Sequence, residues 1–407
     1  GATITVTILI AIFFAAALQA FNYIWNTPPK SIRTTILNLR RLTSPFRRLS
    51  LVPKLKALTS FFQLATSFPS VYDVPMPQQY INIMKTLTGW LDISELLEFL
   101  YPSQCLGGYL TRVIARSFSP LIVTAFPVLV SVGVGSIRHM LFRKRGESNR
   151  PPYGLLVLQG LPWAILLAFC LVPSVSRTVF SVWECETIQL DASTNEDIRF
   201  LRDDLSIICD TSDEHKVATY AAAVLVLIWP IGMPLLYFWL VWKCREDIKS
   251  GMPTHFARAT SFLWREYRVP LYWWEPIEMF KKVVLAGLLL VVVPPPLELL
   301  RLLVALLISM AFLVLTLVLR PFNRADNNAL SVCSQLATIL MYHGAMLIKL
   351  DAYYPGLVER SGFKTIFDLT IGMLTVYGVM FALVVGVGAA FGNLKPVIEF
   401  MTFNFAM

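Results

Sequence analysis

Residues 299–319 read LLRLLVALLISMAFLVLTLVL, with one charge in the whole run. A helix rises about 1.5 Å per residue, so a run of this length crosses roughly 30 Å of hydrocarbon. In hydrocarbon every backbone N–H and C=O must be paired within the chain, and a helix achieves this alone. Comparable apolar runs occupy 2–25, 117–141, 153–176, 217–242, 279–297, 329–350 and 366–391. A weaker one, 56–75, carries Gln63, Ser67 and Pro69. Only 15% of the residues are charged, where a soluble domain has about 25%. The expected fold class is all-α: a polytopic transmembrane helix bundle of about nine spans.

Charge sets the expected orientation. Segment 26–56 holds eight Lys/Arg and no acid, and 138–150 (RHMLFRKRGESNR) is also basic, so both belong on the cytoplasmic side. With 117–141 alone between them one would lie outside; if 56–75 also crosses, both lie inside. Nine spans then put the N-terminus outside and the C-terminus inside. Segments 177–216 and 351–365 are outside, and 243–277 and 320–328 are inside. Most tryptophans fall near expected span ends, as in an aromatic belt. The expected organisation is a first helix at 1–25 following an ectodomain upstream, and a basic interfacial segment at 26–56. Helices with an outer loop holding Cys105 fill 57–152, the transmembrane core 153–391, and a cytoplasmic tail 392–407. The net charge of +9 fits a basic inner face and calls for no nucleic acid.

The outer segment Arg177 to His215 contains ten acids and three arginines, and Cys185 and Cys209 flank it. With Cys105 on the same side, an oxidising compartment permits a disulfide whose connectivity spacing does not decide. The acids have three readings: a solvated, disulfide-tied loop, a funnel that concentrates cations, or a divalent-ion site. The last two would use Asp203, Asp204, Asp210 and Asp213. Calcium needs six to eight oxygens, and the spacing is not that of an EF-hand. No cofactor is expected, a structural calcium at these acids being the one exception left open, and no other metal is specified.

On the inner side, YRVPLYWWEPIEMFKK precedes a span. Trp273 and Trp274 suit the interface, and Glu275 and Glu278 share a helical face. Glu278 and Lys282 form a favourable i,i+4 pair. This stretch is either an elbow that transmits movement or an anchored helix start. Arg40, Arg41, Arg47, Arg48, Lys54 and Lys56 could meet anionic lipid head groups, each cation near the surface contributing about 1 kcal/mol; the alternative is a purely topogenic loop. Pro230, Gly232 and Pro234 in 217–242 are expected to break or kink that helix, as are Pro120 and Pro127 in 117–141. Gln63, Gln159, Gln335, His343 and Asp368 are the polar side chains placed at membrane depth. Nucleotide-loop, zinc-protease, CxxC and dinucleotide-fold motifs are absent, so an enzyme is not expected.

Several strings then invite comparison in order: KLKALTSFFQLATSFPSVYDVPMPQQY, SQC before Leu106, FLRDDLSIICDTSDEHK, WPIGMPLLYFWLVWKCREDI, EYRVPLYWWEPIEMFKKVVLAGLLL and LRPFNRADNNALSVCSQLATIL. Over residues 50–350 the chain resembles the TRP-like (transient receptor potential-like) multi-pass domain of large algal and protist proteins. It is more distantly similar to the fungal TRP-like flavin-carrier group. The resemblance implies a cation-channel subunit in a plasma or ciliary membrane of a eukaryote, meeting membrane lipids and forming a homo-oligomer or larger assembly. Two alternatives stand: a non-conducting anchor for a large extracellular domain, and a transporter of a small organic or lipid molecule. The sequence departs from a TRP pore between 329–350 and 366–391, where DAYYPGLVERSGFKT has no filter or pore-helix pattern. Arg301 is a single arginine, which is not a voltage sensor.

Overall fold

The computed structural model describes residues 51–88, 107–142, 153–189, 197–209, 211–293 and 297–363, with Thr365, Asp368, Gly372 and Gly378. The expected span 2–25 and nearly all of 366–391 lie outside the described residues. Among the described residues the chain is predominantly helical, and five helices are long and apolar enough to cross a membrane: Tyr109–Ile137, Tyr153–Trp183, Asp213–Lys243, Glu298–Leu319 and Ala325–Tyr353.

In chain order the elements used below are α1 (Leu51–Ala65), α2 (Phe68–Val71), α3 (Gln78–Thr88), α4 (Tyr109–Phe142) and α5 (Tyr153–Phe180). Strands β1 (Cys185–Gln189), β2 (Asp197–Leu201) and β3 (Asp204–Ile208) follow, then α6 (Asp213–Val226), α7 (Met233–Lys243) and α8 (Trp274–Val283). Last come α9 (Glu298–Leu319) and α10 (Ala325–Tyr353). The chain divides into two compact units, residues 1–23 with 87–298 and residues 24–86 with 299–407.

In the first unit α4 and α5 pack closely because Gly160 leaves room. A side chain there would meet the Pro127 carbonyl oxygen and the Val128 Cα, each at 2.6 Å. Small residues at helix crossings let backbones approach in this way. Trp229 donates from its indole to the Ser117 carbonyl at 3.0 Å, and the Tyr237 hydroxyl donates to the Ile165 carbonyl at 2.7 Å. These satisfy buried polar atoms while their rings fill the core.

Prolines do not break the helices that contain them. Asp213–Lys243 runs on through Pro230, and Leu227–Gly232 takes up a wider, π-helical turn. Proline cannot make the ordinary backbone bond, and a π turn accommodates the ring without ending the helix. Likewise α4 passes through Pro120 and Pro127 unbroken. A second π turn, Val284–Leu288, joins α8 to Leu289–Val292. Helix therefore begins at Trp274, five residues before the apolar run that predicted it. Pro276 is tolerated because the first turn leaves its N–H groups unpaired anyway.

The segment expected on the outer side is not irregular loop. Its strands form a three-stranded antiparallel sheet in the order β1-β2-β3, with Cys185 opposite Leu201 and Gln189 opposite Asp197. This small sheet is an addition to the expected all-α class. The disulfide joins Cys185 to Cys209, while Cys105 falls outside the described residues.

In the second unit, 56–75 is not one helix. α1 ends at Ala65 and α2 restarts over Phe68–Val71, with Pro69 near its start. At about 1.5 Å per residue, α1 reaches roughly 22 Å, short of a full crossing. Phe68, Tyr72 and Tyr342 form an aromatic cluster with centroids 4.8 to 5.5 Å apart, and the two tyrosine hydroxyls lie 3.0 Å from each other. Arg301 is 2% exposed and donates to the Val71 carbonyl at 2.7 Å. Its role is to tie α9 to the end of α2.

Candidate functional site

The acidic residues of the cap are engaged locally. Asp203 accepts from the Ser181 hydroxyl at 2.6 Å. Asp204 is ion-paired with Arg112 and accepts from the Ser206 hydroxyl at 2.6 Å. The Ser206 bond, with the Arg112 guanidinium, holds its carboxyl below the usual range against some opposition from burial. Asp213 is 95% exposed in its side chain and pairs with Lys216 at 3.2 Å. Asp210 lies outside the described residues. Among the described residues these carboxylates do not gather into a metal-ligand cluster. The one group of three potential ligands that does is Cys185, Cys209 and His215.

Arg40, Arg41, Arg47 and Arg48 also lie outside the described residues. Lys54 is 2% exposed and is ion-paired with Asp326 at 2.7 Å, an acid that Arg324 also contacts. Lys56 is buried too. Lys54 faces α10, where Asp326 lies, and Lys56, about 200° away round α1, is buried as well. Of the polar side chains expected at membrane depth, Gln335 is buried and His343 is exposed. Asp368 is exposed and accepts from Thr365 at 2.9 Å.

The elbow holds the most unusual chemistry. Glu275 is 2% exposed and accepts from the Tyr267 hydroxyl at 2.6 Å. Burial, with the Glu275 carboxylate beside it, keeps Tyr267 protonated well above the usual tyrosine range, so it remains a donor. Trp274 is buried against Trp273, their ring centres 6.3 Å apart. Glu278 pairs with Lys281 at 2.5 Å, an i,i+3 pair. The expected partner, Lys282, instead points inward, and its ammonium lies 3.5 Å from the centre of the Phe169 ring on α5. Positions i+3 and i+4 both neighbour Glu278 on the helix, and here Lys281 takes the acid while Lys282 turns to the Phe169 face. Spacing alone makes Lys282 a surface group. Phe169 gives no signal, since a phenylalanine in an apolar run reads as core.

The elbow thus concentrates two acids, two lysines and a tyrosine, mostly buried, at the head of a helix that turns π-helical directly afterwards. Such π turns recur at functional positions in helices. The arrangement holds no nucleophile–base pair. What it can do is hold or shift charge inside a low-dielectric bundle.

No protein-family model matches the chain, and no solved structure matches it. A stretch of 52 residues, 13% of this chain, is 46% identical to the beta-1 subunit of the mitochondrial pyruvate dehydrogenase E1 component of Arabidopsis thaliana. The match spans 13% of that subunit, and so small a share of either protein carries no fold or activity from one to the other.

Proposed function

We propose that the chain is a TRP-like multi-pass membrane domain acting as a cation-channel subunit, with nine spans, the N-terminus outside and the C-terminus inside; this count needs 56–75 to cross as the broken pair α1 and α2 and not as one helix. The membrane is the plasma or ciliary membrane of a eukaryotic cell. The observation that carries this reading is the charge cluster at the head of α8, where Glu275, Lys281 and Lys282 are buried and Glu278 is half-buried. Desolvating an ion costs several kcal/mol, more than anchoring a helix requires, and Trp274, expected at the interface, is itself buried in the protein. A charged hinge ahead of a π turn suits an elbow that moves when a gate moves. No enzymatic step is assigned.

A second reading is a non-conducting anchor for an extracellular domain. It is favoured by the sheet-bearing cap, where Asp203 and Asp204 are held by Ser181 and Arg112 beneath a disulfide. The purified protein in planar bilayers separates the two. Cation currents that change with Glu275→Gln, in protein shown to be folded, support the channel. Folded protein that gives no current above bare bilayers under any voltage, calcium or osmotic condition overturns it and leaves the anchor.

A further inference from the structure

The corner where the small sheet meets α6 brings three metal-ligating side chains together. Cys185 opens β1, Cys209 directly follows β3, and His215 sits in the first turn of α6. All three are buried, and their ligand atoms lie within 4.8 Å of one another. The Cys185 sulfur is 3.9 Å from His215 Nε2, which also lies 3.1 Å from the Val182 carbonyl. A tetrahedral zinc with Zn–S near 2.3 Å and Zn–N near 2.05 Å needs sulfur and nitrogen about 3.6 Å apart. The histidine is therefore already near ligand distance. While the two sulfurs are bonded to each other they cannot act as thiolates.

We infer that reduction of the Cys185–Cys209 bond converts this corner into a site for a thiolate-preferring divalent metal, zinc above all, with Cys185 Sγ, Cys209 Sγ and His215 Nε2 as its protein ligands. Two thiols of a small-molecule reductant reaching the outer face supply two electrons and two protons. The S–S bond breaks, each cysteine becomes a thiol, and the reductant becomes a disulfide. Zinc then displaces the two thiol protons to solvent, and His215 Nε2 gives up the Val182 carbonyl to offer its lone pair. Water fills the fourth position.

The sulfurs must part to about 3.8 Å, the spacing two thiolates take on tetrahedral zinc. The two Cα atoms are 6.4 Å apart, so rotation about the side-chain bonds achieves this with the strands in place. The frame does not rest on the disulfide alone. Arg202 pairs with Glu184 at 2.7 Å, Arg112 pairs with Asp204, and Glu214 accepts from the Tyr109 backbone at 3.1 Å. Metal would replace the covalent cross-link with a coordinate one, so the cap stays closed in a reducing setting. This inference is independent of whether the bundle conducts.

The test uses the whole chain in nanodiscs with cobalt as a spectroscopic stand-in for zinc. A phosphine reductant opens the disulfide, taking oxygen from water to become the phosphine oxide, and does not compete for cobalt through sulfur. The expected result is one cobalt per chain, bound only after reduction, with a thiolate-to-cobalt charge-transfer band and tetrahedral visible bands that zinc abolishes. His215→Ala leaves the disulfide intact in the oxidised protein. After reduction it should bind more than about 100-fold more weakly, beyond what losing an outer-shell partner causes. The inference is overturned if no thiolate–cobalt band appears in reduced protein, whether or not circular dichroism shows the cap still folded. It is also overturned if the band persists at full affinity in His215→Ala, which would show that His215 is not a ligand.

Discussion

Replacing Lys282 with methionine should stabilise the protein while impairing the elbow. Lys282 is 1% exposed, and its ammonium has no hydrogen-bond acceptor among the described residues. Taking an ammonium out of water costs several kcal/mol even after the protein relaxes. The Phe169 ring face at 3.5 Å returns about 2 kcal/mol when the pair is desolvated. Glu275 and Glu278 attract the charge through space, but Glu275 is bonded to Tyr267 and Glu278 to Lys281. The balance leaves the lysine a net burden. Methionine has a similar volume and no charge, so Lys282→Met should gain about 1–4 kcal/mol, the range seen when buried ions give way to apolar groups. Urea unfolding of the protein in detergent, followed by tryptophan fluorescence, reads this directly. A double-mutant cycle isolates the ring. Phe169→Leu should cost about 2 kcal/mol more in the unaltered chain than in the Lys282→Met background, because only the charged partner uses the ring face. If Lys282→Met instead destabilises by more than about 1 kcal/mol, the ammonium has a strong native partner and the reasoning fails. If the variant is stabilised and its bilayer currents are unchanged, the charge is not what the elbow works with.

Three further outcomes follow from the packing and the charges. Gly160→Ala must open a 2.6 Å contact toward the 3.4 Å of ordinary van der Waals contact, so it should destabilise by about 1–3 kcal/mol. Gly154→Ala on the same helix meets nothing within 4 Å and should be neutral or slightly stabilising in the same thermal-melt assay. Tyr72→Phe should cost about 1–3 kcal/mol by stranding the Tyr342 hydroxyl 3.0 Å away, and Tyr72→Phe/Tyr342→Phe should cost no more than either single change by urea unfolding. Asp204 has a lowered carboxyl pKa in the folded cap, chiefly through Ser206, so its contribution is complete above the ordinary aspartate value of 3.8. It should be lost only as pH falls below that, through the folded value. Hydrogen exchange of residues 204–208 should show this acid loosening, and Asp204→Asn should flatten it.

The long helices were legible because one quantity decides them. A run such as 299–319 has no other way to pair its backbone in hydrocarbon. Their interruptions were less legible, since Pro230 signals a break locally while the surrounding packing selects a π turn that keeps the helix whole. The small sheet was hidden for a similar reason. Residues 204–208 (DLSII) alternate only briefly, and the strand exists because β2 and the Cys185–Cys209 bond hold it. The charged and aromatic character of the elbow is plain in its residue types, but spacing cannot say which of two adjacent lysines faces inward. That choice belongs to Phe169, more than a hundred residues earlier. Arg301 illustrates the same limit: as a lone arginine at a span end it is no voltage sensor, but nothing in the sequence names its partner, the backbone carbonyl of Val71.

The contrast between the two charged regions bears on how any cation would be handled. In the cap two of the described acids are committed, Asp203 to a hydroxyl and Asp204 to a guanidinium and a serine, while Glu186 and Asp213 are exposed. A carboxylate whose charge is offset by arginine, as that of Asp204 is, adds little to a field that draws cations, and Asp203 has one oxygen engaged by Ser181. An outer funnel would therefore have to draw on exposed acids such as Asp213, and neutralising Asp203 and Asp204 together should leave cation flux nearly unchanged while loosening the cap. The elbow is the opposite case. There charge is buried beyond what local pairing satisfies, and buried charge persists in a membrane domain where something offsets its desolvation or where its movement is used. A double variant Asp203→Asn/Asp204→Asn that abolished current with the sheet intact would reverse this assignment and return the site to the outer face.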